Sequence, residues 1–496
     1  MGIIKRQGIY ATFAAYIGVL IGVVNQMWLY PRFLTESEIG LVYLLVDTAM
    51  LFVPFLLLGL ASVCVRYFPH FNHIEQKHYG FLSFLLLIPL GTFALFALLF
   101  ALFLPDFSAN FAKSPLYVRF LPLTLPLCFF LLYISVLEAY CRSLQQTVVI
   151  TLLREVFIRL ATTVLVLLYG GALLNSQQFV QWYVAIYGIV VVLFIGYIAY
   201  LGQFRLGAID RDKFNTPLLL DMGRYAFFIL LGTIGGTIVY RIDALLLSHY
   251  LGEAETGIFR ITGFIGLVVE MPRRALSQIA APVVAQAMKD RKIDLISQLY
   301  RNISTHQYLA GAFLLCAIWC NIDNIFALMP CGEVFAAGKY VVLLVGIAKI
   351  FDMVTSINEE IIAYSPYYRY TPLLMLGLIG ITVATNMALI PIWGITGAAV
   401  ASLLCIALYN IGKFMLIYTK MGLLPFSRNT LKISAIATLA LGASYICPTL
   451  PSAWVDLFVR SAIVTAIFAI LTLAWNISDE LRQMFQKAMA MLRRQQ

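Results

Sequence analysis

The residues best suited to chemistry in this chain are ionisable side chains inside long apolar segments. A charged side chain costs at least about 2.5–3.5 kcal/mol at the centre of a bilayer. We therefore expect each of them to face a wet cavity or to pair with a group of opposite charge. The basic members of this set are Arg241, Arg260, Arg273, Arg274 and Lys349, and the acidic members are Glu138, Asp243, Asp352, Glu359 and Glu360.

The five basic side chains have the chemistry needed to hold a phosphate group. A guanidinium fork matches two phosphate oxygens, and an ammonium group supplies a compact positive charge. A second interpretation stays open, in which several of these residues anchor helices at the membrane surface. Arg66, beside Tyr67, is a weaker substrate candidate for which such anchoring is the favoured interpretation.

The five acidic side chains suggest energy coupling. A carboxylate inside the membrane can bind a proton or a sodium ion while a cavity faces one side. Ion pairing with nearby bases is the competing interpretation. Asp47 and Glu270 are further intramembrane acids. The i,i+4 spacing of Glu155 and Arg159 allows a predicted salt bridge on one helix face, with a transport role as the alternative.

The composition places these charges in a membrane protein. The 496 residues are 61% hydrophobic and only 12% charged, with a mean hydropathy of +0.89, whereas soluble domains have about a quarter charged residues. Continuous apolar stretches of about 20 residues predict helices rather than barrel strands. About fourteen spans are predicted, at 9–30, 40–64, 81–104, 117–140, 148–170, 179–202, 223–248, 257–283, 305–328, 338–363, 371–391, 395–418, 431–449 and 456–476.

Basic residues predict the orientation of these spans. With the N-terminus inside, most of the 34 Lys and Arg residues fall in cytoplasmic loops and in the basic tail 479–496. Both termini are therefore predicted to be cytoplasmic. The net charge of +10 follows from these loops and from contact with anionic lipids, so no nucleic-acid partner is predicted. Few bases fall on the outer side, namely Arg32, Lys113, Arg119, Lys339 and Arg460.

Motifs for catalysis, cofactors or metals do not appear in the sequence. It has no glycine-rich ATP loop, and its eight cysteines are scattered without a C-x-x-C pair. His70, His73 and His78 share one loop, but no further ligand completes a metal site, so a solvated loop is the preferred interpretation. We predict no cofactor, no metal and no enzymatic activity.

A short turn sequence occurs twice. Phe33–Gly40 reads F-L-T-E-S-E-I-G, and Tyr250–Gly257 reads Y-L-G-E-A-E-T-G about 217 positions later. The acidic pair in each copy is predicted to lie in the first turn of a helix, where the dipole favours negative charge. The glycine that closes each copy is predicted to allow a tight entry into that helix. The duplication indicates a transporter built from two structural repeats.

These turns, together with two further motifs, resemble the multidrug/oligosaccharidyl-lipid/polysaccharide (MOP) exporter superfamily. The further motifs are Glu270-Met271-Pro272 with Pro282 in the same span, and Asn386 followed by Pro391, Gly394 and the run Ile395 to Ala399. The resemblance implies two pseudo-symmetric six-helix bundles around a central cavity, plus two C-terminal helices. The corresponding boundaries are 1–205, 206–420, 421–478 and the tail 479–496.

Within that superfamily the chain looks like the polysaccharide branch of Wzx-like flippases. This resemblance implies a bacterial inner-membrane protein, monomeric by default, that moves undecaprenyl-diphosphate-linked oligosaccharide repeat units across the membrane. Membrane lipids, a polysaccharide polymerase, glycosyltransferases and coupling to H⁺ or Na⁺ are the partners that it implies.

Three alternatives remain open. A multidrug cation antiporter of the superfamily often has an acid in the first span, whereas residues 10–35 offer only Asn25 and Gln26. A lipid II flippase is separated only weakly by sequence. A membrane scaffold for polysaccharide assembly would not need paired intramembrane charges.

Overall fold

The computed structural model describes residues 2–72, 77–210 and 212–477. Helices dominate these residues, and the described ranges contain no strand, so the predicted all-α membrane class is confirmed. The chain divides into two compact units, Met1–Gly257 and Ile258–Gln496. The predicted basic tail, 479–496, and His73 lie outside the described residues.

Eleven helices of the described chain lie in the first unit. α3 contacts α7 and α11, and α10 packs on α7 and α9. The helices are α1 Gly2–Val24, α2 Tyr30–Phe33, α3 Glu36–Leu57, α4 Leu60–Phe71, α5 Phe81–Ala109, α6 Pro115–Phe120, α7 Thr124–Ser143, α8 Thr147–Thr151, α9 Ile158–Gly170, α10 Ser176–Tyr200 and α11 Thr216–Tyr250.

The next helix crosses the boundary between the units, and the remaining helices belong to the second unit. α14 packs against α13, α17 and the C-terminal pair α20 and α21. The helices are α12 Glu253–Leu267, α13 Met271–Lys289, α14 Ile293–Cys320, α15 Ile322–Leu328, α16 Gly332–Phe335, α17 Lys339–Thr355, α18 Asn358–Tyr364, α19 Thr371–Met421, α20 Arg428–Ile446 and α21 Ala453–Ala474.

Ten helical segments of the described chain are long and apolar enough to cross a membrane. They include the predicted spans 371–391 and 395–418, which form the single bent helix α19. The predicted spans 148–170, 257–283 and 431–449 are also helical but are not among these ten. The first two of them contain several charged residues and an interruption of the α-helix. The chain is therefore a multi-pass membrane protein.

The two copies of the repeated turn contact each other. A Cβ atom added at Gly40 would lie 1.8 Å from the carbonyl oxygen of Glu253, and one added at Gly257 would lie 2.1 Å from that of Glu36. Both glycines lie inside helices, and neither has a positive φ. The predicted tight helix entry was therefore wrong, because the glycines serve a reciprocal close approach of backbones. The predicted placement of acids in both first turns is confirmed.

The C-terminal pair α20 and α21 is joined by a buried arginine. The Arg460 guanidinium donates to Asp456 at 2.7 Å and to the carbonyl oxygens of Ser444 and Cys447 at 2.6 and 3.1 Å. The two carbonyls lie at the end of α20, where helix carbonyls lack intrahelical partners. Asn324 of α15 also donates to Asp456, at 2.6 Å. Arg460 thus stabilises the turn between the last two helices.

Three backbone interruptions shape the second unit. A 3₁₀ turn, Val268–Glu270, separates α12 from α13, and Pro272 at the start of α13 has no N–H to continue the preceding ladder. α17 ends at Thr355 and is followed by Ser356, whose φ of 54° and ψ of −113° are rare for a residue with a side chain. Gly394, with φ 59° and ψ −137°, bends α19. Pro272 therefore marks an interruption of the predicted span 257–283, whereas Pro282 lies inside α13.

Candidate functional site: a buried charge network

Four charged side chains of the second unit meet at the first of these interruptions. Lys349 Nζ lies 2.8 Å from Glu270 Oε2 and 3.7 Å from Asp352 Oδ2. Arg273 Nη1 lies 3.1 Å from Glu270 Oε1 and 3.8 Å from Asp352 Oδ2. Each base therefore contacts both acids. Lys349 and Asp352 are thus ion-paired, as in the competing interpretation of the intramembrane acids.

The network continues onto α18 and the second half of α19. Arg273 Nη2 lies 3.9 Å from Glu359 Oε2, and Lys413 Nζ lies 3.1 Å from Glu359 Oε1. The Asn410 amide donates to Asp352 Oδ1 at 2.7 Å. Six charged residues are thus connected through contacts of 2.8 to 3.9 Å. We call Glu270, Arg273, Lys349, Asp352, Glu359 and Lys413 the charge network.

Three bases and three acids make the charge network electrically balanced when all are ionised. The side chains of Lys413 and Lys349 are only 3% and 6% exposed, whereas that of Glu359 is 54% exposed. Removing charges from water is expensive, and the attraction between close partners offsets this cost. The network is therefore mostly buried, and its accessible carboxylate, Glu359, lies between Arg273 and Lys413.

Local sequence explains how these side chains converge. Glu270 ends the 3₁₀ turn, and Arg273 lies three residues later in the first turn of α13, across the interruption at Pro272. Lys349 and Asp352 share a face of α17 through i,i+3 spacing. The turn at Ser356 ends α17, and α18 begins two residues later with Glu359 in its first turn. The charge network therefore lies beside two interrupted membrane segments.

Such interruptions have a physical consequence in a membrane. Backbone groups that leave a helix at membrane depth must be buried in protein or line a wet cavity, because lipid offers them no hydrogen bonds. In many transporters the substrate and ion sites lie at discontinuous helices for this reason. A charged cluster at two interruptions is therefore suited to binding a polar or ionic group inside the membrane.

Arg241 belongs to a separate pair in the first unit. Its Nη1 lies 2.5 Å from Asp47 Oδ1, and its Nη2 lies 3.4 Å from the sulfur of Met50. Asp47 is buried on α3 and Arg241 is half-buried on α11. Asp243 is only two positions from Arg241 in the chain, whereas the ion pair seen here joins Arg241 to an acid 194 positions away.

Glu138 anchors two arginines in the first unit. Its carboxylate lies 3.0 Å from Arg154 and 3.4 Å from Arg142, so ion pairing is the interpretation that the geometry favours over coupling. The predicted salt bridge between Glu155 and Arg159 is confirmed, with a distance of 2.7 Å.

The other predicted site residues are not among the six members of the charge network. Arg260 is half-buried on α12 and Asp243 is half-buried on α11. Glu360 follows Glu359 on α18 and is half-buried. Arg274 is on α13, but its side chain lies outside the described residues.

Lys413 and Asn410 are the members of this region that the sequence analysis did not single out. Lys413 falls within the predicted span 395–418. That position inside an apolar segment was the available signal. Asn410, three residues before it, carries no charge and gave no signal.

The chain is similar in fold to solved structures of transporters. The chain matches "Lipid II flippase MurJ, inward closed conformation" with a TM-score of 0.75 at 12% identity, covering 94% of this chain and 98% of that one. It also matches an inward-facing MATE-family multidrug resistance transporter of the MOP superfamily, with a TM-score of 0.62 at 14% identity, over 86% of this chain and 98% of that one.

A third match is a MOP superfamily transporter from Pyrococcus furiosus Vc1, with a TM-score of 0.54 at 13% identity, over 87% of this chain and 96% of that one. No protein-family model matches the chain, and no curated protein matches its sequence. At these identities the likeness establishes the fold. The chain therefore has the fold of the MOP superfamily transporters, while the polysaccharide branch suggested by the sequence is a matter for proposal.

Proposed function

We propose that this protein is a flippase that moves undecaprenyl-diphosphate-linked oligosaccharide units across the bacterial inner membrane. The observation that carries the proposal is the charge network, because it places Arg273, Lys349 and Lys413 beside two interrupted membrane segments. A diphosphate crossing the membrane needs such bases, and its lipid tail can stay in the bilayer. The likeness in fold to a lipid flippase supports this assignment.

The balance of the network suggests how the bases become available. In the arrangement described here, carboxylates occupy the donors of Arg273 and Lys349. Arriving phosphate oxygens would replace Glu270 and Asp352 as their partners. The displaced acids would then take up protons or sodium ions, because unpaired carboxylates are costly at this depth. Substrate binding and ion uptake would thereby occur at one site.

A lipid II flippase is the second candidate. The MurJ match covers 94% of this chain. The uncovered share is shorter than α20 and α21 together, so the match includes at least part of these last two helices. The MATE match covers 86%. This difference favours a lipid flippase over multidrug export, and it leaves the glycan carried by the lipid to be determined by experiment.

The first span gives a further reason to rank drug export lower. Asn25 holds its place in that span by donating to the Arg159 carbonyl at 3.0 Å and accepting from Thr163 at 2.7 Å. These are structural bonds between helices. We further propose that the bundles span 1–205 and 206–420, that 421–478 forms the two additional helices, that both termini are cytoplasmic, and that the protein is a monomer.

Complementation in cells tests the substrate. A deletion strain would receive the wild type, Arg273→Gln or the control Arg159→Gln, an ion-paired arginine of the first unit, with membrane abundance matched. We expect Arg273→Gln to lose surface glycan and to accumulate lipid-linked units inside, because it removes a phosphate fork. Normal glycan in the deletion strain, with growth failing for want of lipid II transport, would support the second candidate instead.

A further inference from the structure

A basic cavity opens where three segments of the second unit end. It has a volume of about 840 Å³ and lies between the end of α13, the 3₁₀ turn Pro366–Tyr370 that follows α18, and the end of α19. Its polar lining consists of Ser365, three bases and three tyrosines, the last two groups being Lys289, Arg291, Lys420, Tyr364, Tyr367 and Tyr368. Neither an aspartate nor a glutamate lines it.

The charge of this cavity is not compensated within the described residues. Lys289, Arg291 and Lys420 take part in none of the ion pairs that the described part of the chain contains. The nearest acid in sequence, Asp290, is instead held by Gln286 at 3.0 Å and by Lys292 at 3.5 Å. The cavity therefore presents three positive charges to its contents.

The backbone at Arg291 is a second, independent observation. Arg291 has a φ of 56°, and the N–H groups of Arg291 and Lys292 bond back to the carbonyls of Met288 and Ala287 at 3.2 and 2.9 Å. This is the left-handed position after a helix, where glycine is usual and a side chain costs about 1–2 kcal/mol. An arginine is kept there although glycine would suit the backbone better, and its side chain lines the cavity.

The location of the cavity identifies the kind of ligand. The Lys and Arg distribution predicts that this face is cytoplasmic, and clustered tyrosines are typical of the level of the lipid headgroups. Apolar groups complete the lining, including Met288, Ala363 and Met421. A ligand that fills this cavity must combine an anionic group with an apolar part, as a phospholipid does and a soluble anion does not.

We propose that this cavity binds the phosphate headgroup of an anionic glycerophospholipid from the predicted cytoplasmic leaflet. The three bases hold the phosphate, the hydroxyls of Tyr364 and Tyr368 donate to the phosphate and glycerol oxygens, and the upper acyl segments lie on Met288 and Met421. The volume is sufficient for a headgroup with its glycerol. The site goes beyond transport and does not depend on which lipid the protein moves.

Lipid binding by the purified full-length protein tests this proposal. The preference for phosphatidylglycerol over phosphatidylcholine would be measured by native mass spectrometry for the wild type, Arg291→Gly and Lys289→Gln/Lys420→Gln. We expect the preference to fall about fivefold for each base removed, which corresponds to about 1 kcal/mol each. The control Lys292→Gln removes the same charge beside the cavity and should keep the preference.

The same variants separate binding from folding. Arg291→Gly should keep or raise the thermal stability measured in phosphatidylcholine, because glycine relieves the left-handed position, and yet it should weaken phosphatidylglycerol binding. An equal loss of preference in Lys292→Gln would show that only general surface charge matters and would overturn the proposal. Displacement of the lipid by millimolar inorganic phosphate would overturn it too, because the site would then be one for a free anion.

Discussion

Removal of the Lys349 charge should destabilise the protein strongly. Lys349 Nζ lies 2.8 Å from Glu270 and 3.7 Å from Asp352. At an effective dielectric constant of 20, these distances correspond to attractions of about 6 and 4 kcal/mol. The desolvation of the ammonium opposes much of this sum, and the loss of one partner of a buried pair costs about 3–5 kcal/mol. We therefore expect Lys349→Met to lower the free energy of unfolding by about 3–5 kcal/mol.

A second substitution should recover much of this loss. Lys349→Met leaves the network with three acids and two bases, and adding Glu270→Gln restores the balance with little change of shape. We expect the double variant to be more stable than Lys349→Met by about 1–3 kcal/mol, the range typical of coupled neighbours. Arg273 would then retain Asp352 as its acid at this end of the network.

Denaturant titration of the full-length protein in detergent measures these differences. The matched control is Lys339→Met on the same helix α17, because Lys339 Nζ lies 2.6 Å from Asp323 in an exposed pair. An exposed pair contributes about 0.2–1 kcal/mol, so the control should change stability little. A loss in Lys349→Met no larger than in the control, or no recovery in the double variant, would refute the argument from burial and charge balance.

Three further substitutions test the backbone and the C-terminal helices. Gly40→Ala should lower the thermal stability by several degrees, because its Cβ would lie 1.8 Å from a carbonyl oxygen, while the control Gly377→Ala, which faces open space, should not. Ser356→Gly should raise the free energy of unfolding by up to about 1 kcal/mol, and Gly394→Ala should lower it by about 1–3 kcal/mol, because both positions have a φ near +55° to +60°. A denaturant titration in which both variants change the free energy of unfolding in the same direction would contradict this. Arg460→Ala should cost about 2–4 kcal/mol in the same titration, because it leaves a buried carboxylate without its cationic partner and two helix-end carbonyls without their donor. An unchanged midpoint would show that other contacts stabilise the turn.

Much of the fold follows from the sequence, and the reason is physical. An apolar stretch of about 20 residues must cross the membrane as a helix, so hydropathy alone places the spans. The i,i+4 pair of Glu155 and Arg159 is equally local and was predicted correctly. Pro272 marks an interruption because it lacks an N–H.

The charge network could not be predicted to the same extent. Lys413 and Glu359 are 54 positions apart, and hydropathy does not say which helices touch. The Arg241 pair shows the same limit, because its partner Asp47 lies in another helix of the first unit. The turn at Ser356 contains neither glycine nor proline, so the local sequence does not predict it.

Transport in proteoliposomes tests the central claim most directly. Fluorescent undecaprenyl-diphosphate-linked oligosaccharide would be placed in both leaflets, and its loss from the inner leaflet would be followed by quenching from outside. We predict rapid loss of the fluorescent lipid from the inner leaflet with the wild type and with Arg159→Gln. With Arg273→Gln the loss should be at least about tenfold slower, because the substitution removes a charged hydrogen bond to phosphate worth about 1.5–3 kcal/mol. Equal rates for Arg273→Gln and the wild type, or no loss with either, would contradict a phosphate-binding role for the charge network.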